Sequence, residues 1–421
     1  MIVESPIAGG PGRRLMVQMF LAFAFAYFFS ALLRAVTATL APTFSNELGL
    51  GAGALGLLAG AYFLGFAAMQ LPLGSALDRF GPKRVLMVLL AVAAVGCACF
   101  GAARDLPQLL VARLLIGVGV SACLMAPLTC YRRRFGPTAQ LRTNSWMLMT
   151  GSLGMLFSTL PVQWLLPVLG WRGLFLAVAV LLLVSIAAIA FLVPRDDAAH
   201  ESSAAAAPNG GYREVLRHPV FVRMAPLGFF AYGGMVAMQS LWIGPWLTQV
   251  AGHSPGGAAR GLFIVNLSML VAFLCWGLLM PRLVRSGWDA DRIIARAWPL
   301  GVACLGAILW FGPAAGAGAW AAWCVLTSVV SLSQPAVAQA FPSSLAGRAL
   351  SAFNLVIFAG VFAVQWGIGL ALDALRALGW APLSAYRASL GLFLAGCLLA
   401  FLWAHWHRGA AAVLQPTAGR T

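Results

Sequence analysis

The stretch GSALDRFGPKRV, residues 74–85, separates two long apolar runs and carries four charged residues. Each run has about 20 residues, which is enough for a helix to cross a hydrocarbon core of about 30 Å. Within the stretch, Gly81 permits a tight turn and Gly74 allows two helices to approach closely. Asp78 can pair with a basic side chain or with a helix N-terminus. The stretch therefore predicts a short charged turn between two membrane-spanning helices.

The composition of the whole chain agrees with this interpretation. Of the 421 residues, 61% are hydrophobic and 9% are charged, and the mean hydropathy is +0.89. A soluble domain carries about 25% charged residues. We therefore predict an all-α membrane protein with twelve transmembrane helices. The approximate spans are 15–42, 52–73, 84–103, 107–130, 143–165, 173–193, 221–247, 260–281, 293–311, 318–341, 350–375 and 385–406.

The predicted topology accounts for the net charge of +16. When the N-terminus is placed inside, most arginines and lysines fall in loops on that side, as the positive-inside rule requires. This arrangement predicts two cytoplasmic termini, and the basicity does not indicate a nucleic-acid partner. We expect a monomer that lies in the lipid bilayer of a bacterial inner membrane.

The chain divides into two similar halves. The longest polar stretch, PRDDAAHESSAAAAPNGGYREVLRHP, separates the first six spans from the last six. The halves are weakly alike: PVQW and AVQW fall in spans five and eleven, about 200 residues apart, as a parallel repeat requires. The predicted units are a six-helix bundle, a central cytoplasmic loop, a second six-helix bundle and a cytoplasmic tail. Their boundaries are 1–194, 195–218, 219–408 and 409–421.

Polar residues are concentrated on particular spans. Spans one, four, seven and ten carry polar residues at helical spacing, whereas spans three, six, nine and twelve are almost purely apolar. Every third helix thus presents a polar face, which predicts a central water-accessible cavity. The candidate substrate-binding residues are Tyr27, Ser30, Arg34, Thr37, Tyr62, Arg113, Gln239, Trp242, Gln334, Asn354 and Gln365.

The charged turn resembles the G-x-x-x-D-R-x-G-R-[RK] signature of the major facilitator superfamily. The matching residues are Gly74, Asp78, Arg79, Gly81, Lys83 and Arg84. RLLIGVGVSA, residues 113–122, is similar to that family's R-x-x-x-G-x-G motif. The resemblance implies a fold of two six-helix bundles and transport by alternating access. It also implies that the turn is a latch that holds the cytoplasmic side shut. The alternative is that Arg79, Lys83 and Arg84 only set the topology.

Two arginines lie at comparable depths in the predicted spans, Arg34 in span one and Arg113 in span four. A charge at the centre of a bilayer costs about 3 kcal/mol or more. The acidic residues fall in loops or at span ends, and Asp373 lies near the outer end of span eleven. Because the arginine fork suits a carboxylate or phosphate, we expect Arg34 to bind a substrate anion. The alternative is a structural Arg34 that hydrogen bonds to Tyr27, Ser30 and backbone. For Arg113, a structural or gating role and a role in ligand binding are equal alternatives.

These observations predict a secondary active transporter for a small organic anion such as a carboxylate. The alternative is a drug or metabolite efflux transporter. Many drug antiporters of the superfamily that the chain resembles carry a G-P-x-x-G-G motif in span five, and its absence here disfavours this alternative. With no mid-depth carboxylate for proton coupling, anion exchange or facilitated movement fits best, although a coupling ion or counter-anion stays open. No enzyme is expected, because no segment outside the predicted spans is long enough for a domain and no Walker or other nucleotide loop is present. No cofactor or metal site is expected, since the eight cysteines form no CxxC pair or Cys/His cluster.

Overall fold

The computed structural model describes residues 12–194 and 211–407, called here the first and second halves of the chain. Most of the predicted central loop and the predicted tail, 409–421, lie outside the described residues. Within the two halves the chain is helical, with no strand. The helices of the first half are α1 (Arg13–Leu48), α2 (Ala52–Ala68), α3 (Gln70–Phe80), α4 (Pro82–Ala102), α5 (Leu106–Val120), α6 (Met125–Arg134), α7 (Pro137–Phe157) and α8 (Leu160–Leu192).

The second half continues the same pattern of long helices, several of which are interrupted by single irregular turns. Its α-helices are α9 (Tyr212–Arg217), α10 (Pro219–Pro226), α11 (Gly233–Ala237), α12 (Ile243–Gln249), α13 (Pro255–Arg285), α14 (Ala290–Phe311), α15 (Ala317–Thr327), α16 (Ser333–Gln339), α17 (Ser343–Ala377) and α18 (Pro382–Trp406). Two π-helical turns, Leu227–Tyr232 and Met238–Trp242, join α10, α11 and α12 into one continuous rod.

In this part of the chain, ten helices or helix runs are long and apolar enough to cross a membrane. The count is eleven when α2 and α3, which are bent by 45° to each other, form one span. The twelve spans therefore stay a prediction. The predicted fifth span, 143–165, does not form one rod, because α7 ends at Phe157 and α8 begins at Leu160. The start of α7 is the polar sequence PTAQLRTNSW. Its last part shares α8 with the predicted sixth span, across a sharp bend at Gly170 (φ 62°, ψ 172°).

Helices α2 and α17 form the most extensive helix contact and join the two halves. Their backbones touch through glycines. A methyl group on Gly369 would lie 2.4 Å from the carbonyl oxygen of Ala52, and one on Gly56 would lie 2.4 Å from that of Gln365. Small residues permit this close approach where the energy comes from van der Waals contact between helices. The contact lies towards the far end of the molecule, defined here as the end where α1 stops and α2 begins.

A carboxylate closes the same end. Asp373, near the end of α17, accepts hydrogen bonds from the backbone N–H groups of Ala52 at 3.0 Å and Gly53 at 2.8 Å. These groups belong to the first turn of α2, where N–H donors have no partner within the helix. Asp373 thus caps a helix of the other half, and its negative charge also suits the helix N-terminus. The far ends of the two halves are therefore held together in this structure.

We expect Gly369→Ala to destabilise the protein by about 1–3 kcal/mol, because the new methyl group overlaps the α2 backbone. The measurement is the melting temperature of the purified protein in detergent. Gly367→Ala is the matched control, since a methyl group there meets no atom within 4 Å. Equal melting temperatures for the two variants would contradict this prediction and show that α2 and α17 move apart at Gly369 with little loss of stability.

We expect Asp373→Ala to loosen the start of α2, because removing a helix cap costs about 1 kcal/mol. The measurement is amide hydrogen exchange, which should be about fivefold faster over residues 52–58 in the variant. Asp105→Ala is the control, since Asp105 caps α5 within the first half by accepting from Gln108 N–H at 2.9 Å. Faster exchange over 52–58 in the control, or none in Asp373→Ala, would contradict this account of the far end.

Candidate functional site

Arg34 lies in the middle part of α1, a helix that is unbroken from Arg13 to Leu48. Its side chain is partly exposed, although the residues on either side of it are buried. The guanidinium carbon lies 5.8 Å from the ring centroid of Phe66. Among the described residues, Arg34 forms no ion pair. It is therefore a partly exposed positive charge that has no carboxylate beside it.

Three tyrosines surround this charge. Tyr27, Tyr62 and Tyr232 lie close enough to the guanidinium to interact with it electrostatically. Tyr62 also donates to the carbonyl oxygen of Ser30 at 3.2 Å. Together with Phe66, these residues form what we call the Arg34 cluster: Arg34, Tyr27, Tyr62, Tyr232 and Phe66. The structure thus brings together the predicted residues Tyr27, Ser30, Arg34 and Tyr62.

Tyr232 comes from the second half of the chain and was not among the predicted site residues. It ends the π-helical turn Leu227–Tyr232 and is partly exposed. A π-helical turn changes which side chains share a face, and such turns are frequent at functional sites. The sequence did place Tyr232 on the polar face of span seven, one turn before Met235 and two before Gln239. That spacing was the available signal, but it does not say that the face meets Arg34.

Aromatic rings continue from the cluster into the second half. The ring of Phe66 lies 4.6 Å from that of Phe358 on α17, centroid to centroid. Tyr62 stacks on Phe66 at 6.2 Å with an angle of 21° between the rings. Phe358 is partly exposed, whereas Tyr62 and Phe66 are buried. An aromatic wall therefore runs beside Arg34 and is built by both halves.

Arg113 has a different environment from Arg34. It is fully buried, and its Nη1 donates to the carbonyl oxygen of Leu33 at 2.9 Å while Nη2 donates to the hydroxyl of Thr37. Its guanidinium also lies over the rings of Phe100 and Phe175, at 5.2 and 5.6 Å. These groups belong to α1, α4 and α8, so Arg113 points into the first half. Arg113 thus binds α1 on both sides of Arg34 in sequence, and the structure places Thr37 beside Arg113 rather than in the Arg34 cluster.

The predicted residues of the second half are engaged with one another or with close neighbours. Their amide groups form side-chain pairs, and the indole N–H of Trp242 binds a backbone oxygen. The contacts are Gln239–Asn266 at 2.9 Å, Gln365–Ser240 at 2.9 Å, Gln334–Asn354 at 2.5 Å, and Trp242 to the carbonyl oxygen of Gln365 at 3.2 Å. These bonds satisfy the amide N–H donors inside the helix bundle, where an unpaired group is costly, whereas the Oε1 of Gln365 is buried without a partner in the described structure.

The charged turn 74–85 is ordered by contacts within the first half. Lys83 donates to the carbonyl oxygens of Ala190 at 2.7 Å and Val193 at 2.5 Å, at the end of α8. Carbonyl groups at a helix end lack intrahelical partners and favour a cation. Asp78 lies 3.7 Å from Arg133 of α6. Because these contacts join elements of the first half, a latch between the two halves stays a prediction.

The remaining residues of the turn show one agreement and one correction. Gly81 has a φ of 80°, a backbone conformation that favours glycine, so the predicted tight turn is present. Gly74 is exposed, and a methyl group there would meet no atom within 4 Å. The expected close helix approach at Gly74 of α3 is therefore wrong for this structure, because no other helix lies against that position; the close glycine contact is at Gly56 of α2. Arg84 is exposed, and Arg79 lies over the ring of Phe80 at 5.1 Å.

Comparison with known proteins decides the family. Residues 23–365 match the family model described as Major Facilitator Superfamily. The chain belongs to the Major Facilitator Superfamily. A solved member with the same fold is a bacterial homologue of the human lysosomal transporter Spinster, captured in an inward-facing and unoccupied conformation. It has a TM-score of 0.72 at 15% identity, covering 97% of this chain and 100% of that one. The chain is thus a multi-pass membrane protein of a transporter family.

Two curated members of the superfamily are similar in sequence. The "Probable sulfoacetate transporter SauU" of Cupriavidus necator is 37% identical over 93 residues, which is 22% of each chain. The "Gallate transporter" of Pseudomonas putida is 26% identical over 302 residues, covering 64% of this chain and 66% of that protein. The chain spans less than two thirds of either relative, so these matches support the family and not a particular substrate.

We expect Thr37→Val to lower the stability by about 1–3 kcal/mol, because it leaves a buried N–H of Arg113 without an acceptor. The measurement is the melting temperature of the purified transporter. Thr150→Val is the control, since that hydroxyl bonds to Trp146 of its own helix and is partly exposed. If Thr37→Val melts like the control, Arg113 does not depend on Thr37.

Proposed function

We propose that this superfamily member moves a small organic anion, such as a carboxylate, across the membrane by alternating access. The acid group of the substrate binds Arg34. The single observation that supports this is the environment of Arg34, a partly exposed cation in the middle of α1 with no ion pair among the described residues. The cytoplasmic termini, the bacterial inner membrane and the monomeric state are part of the same proposal.

The physical argument concerns the cost of the charge. An arginine within the bilayer costs about 3 kcal/mol or more unless other groups compensate it. The tyrosine hydroxyls and the face of Phe66 offset part of this cost, but neither supplies a full negative charge. A carboxylate does supply it, and binds the guanidinium fork through two parallel hydrogen bonds. Arg113 does not compete for this role, because Leu33 and Thr37 already occupy its fork.

The origin of the cluster residues supports alternating access. Arg34, Tyr27 and Tyr62 come from the first half, and Tyr232 comes from the second. A site shared by two halves changes its exposure when the halves rock against each other. The closed far end, where Asp373 caps α2, corresponds to one of the two states that such a cycle needs.

The names of the curated relatives support an acidic substrate. Sulfoacetate and gallate differ in size and shape, and both carry an acid group, as the names of these transporters indicate. Efflux of a cationic drug is the alternative, and Arg34 opposes it because like charges repel in a medium of low dielectric constant. For energy coupling we favour anion exchange or facilitated movement, with a counter-anion or coupling ion as a second small partner.

We expect Arg34→Gln to weaken binding of substrate anions at least tenfold, because a charge-assisted hydrogen bond contributes about 1.5–3 kcal/mol. The measurement is thermal stabilisation of the purified protein across a set of small carboxylates, followed by titration with those that bind. Arg260→Gln is the control, since it removes the same charge from an exposed position at the start of α13. Full binding in Arg34→Gln would refute the assignment of Arg34.

A further inference from the structure

The surface beside Arg34 is built largely from aromatic rings. The guanidinium lies against Phe66, and Phe66 lies against Phe358 with 4.6 Å between their centroids. Tyr232 of the second half lies close enough to the guanidinium to interact with it electrostatically. Arg34, Tyr232 and Phe358 are each partly exposed, so a charged group and rings from the second half are accessible in this part of the molecule.

The guanidinium that a ligand can reach at this surface is that of Arg34. Arg113 keeps its positive charge, since its partners Leu33 and Thr37 are neutral, but it is fully buried and donates to them. One accessible guanidinium fork pairs with one carboxylate through two parallel hydrogen bonds. A ligand with a single carboxylate therefore suits the site.

The predicted polar residues of the second half also limit the ligand. The amide N–H groups of Gln239, Gln334 and Gln365 donate to nearby side chains, so these donors are occupied in this structure and are not offered to a chain of aliphatic hydroxyls. What remains beside Arg34 is a set of rings with phenol hydroxyls at their edges. Such a surface stabilises a flat ring through stacked and edge-to-face contacts, beyond the area that it buries.

We propose that the substrate is an aromatic monocarboxylate. Its carboxylate pairs with Arg34, and its ring packs against Phe358 and Phe66, with Tyr232 on the side of the second half. This rests on the proposed function, since it names the class of organic anion that the same site takes. Because Phe358 belongs to α17 and Arg34 to α1, a ligand of this shape contacts both halves at once.

The test compares two acids, one with a flat aromatic ring and one with a puckered saturated ring. Benzoate and cyclohexanecarboxylate carry the same single charge on six-membered rings, and succinate serves as an aliphatic dianion. Binding to the purified full-length protein is measured by calorimetry. We expect benzoate to bind about threefold to tenfold more tightly than cyclohexanecarboxylate, and succinate more weakly than either.

Variants test whether Phe358 and Phe66 of the aromatic wall cause the preference for benzoate. Phe358→Leu should make the two ring acids bind equally, while cyclohexanecarboxylate affinity stays within about twofold of the unmodified protein. Phe362→Leu is the matched control one turn along α17, where the ring packs on Trp366 at 5.6 Å, and it should keep the preference. Phe66→Leu is the second variant if Phe358→Leu does not fold. A preference that survives in the folded Phe358 or Phe66 variant overturns the inference.

The outcomes separate this inference from the proposed function. If cyclohexanecarboxylate or succinate binds as tightly as benzoate and all binding is lost in Arg34→Gln, the aromatic class is wrong and the organic-anion site stands. If no acid binds at any concentration that leaves the protein folded, both are overturned. If benzoate is preferred over cyclohexanecarboxylate but binds equally well in Arg34→Gln, the aromatic wall does bind the ring of the substrate and the assignment of Arg34 is wrong.

Discussion

The charge of Arg34 is the constraint on which the centre of this protein depends. A guanidinium within a membrane helix needs compensation, and the described residues around it supply phenol groups and a ring face but no carboxylate. The residues that share this compensation come from both halves of the chain. Any movement of one half against the other therefore changes the environment of the charge. This couples the proposed binding site to the relative position of the halves.

The two membrane arginines show how the same side chain has two different roles. Arg113 is enclosed by a backbone carbonyl, the hydroxyl of Thr37 and two aromatic rings, so its fork is filled by the protein. Arg34 keeps part of its surface exposed. The Nε atoms of both arginines are buried without a partner in the described structure, so the difference lies in the terminal nitrogens of the fork. Both lie at similar depths in their helices, and their neighbours make one a packing element and the other a candidate binding group.

The far end of the molecule uses a different kind of interaction. There the two halves meet through glycine backbones and through Asp373, which accepts two backbone N–H groups of α2. The sequence placed Asp373 near the outer end of span eleven, but its partner is more than 300 positions away along the chain. The turn at Gly81 was predictable because its conformation is local. The proposed packing at Gly74 was not, because it depends on which helix lies opposite.

The sequence by itself determined the helical membrane character, the glycine turn, the polar face of α1 with Tyr27, Ser30 and Arg34, and the resemblance to the superfamily. These follow from composition, from a period of 3.6 residues and from a local motif, which need no knowledge of neighbours. Only the tertiary structure decided that Tyr232 lies near Arg34 and that the fork of Arg113 binds Leu33 and Thr37. Periodicity gives the side chains that share a helix face, whereas packing between distant segments decides what that face meets.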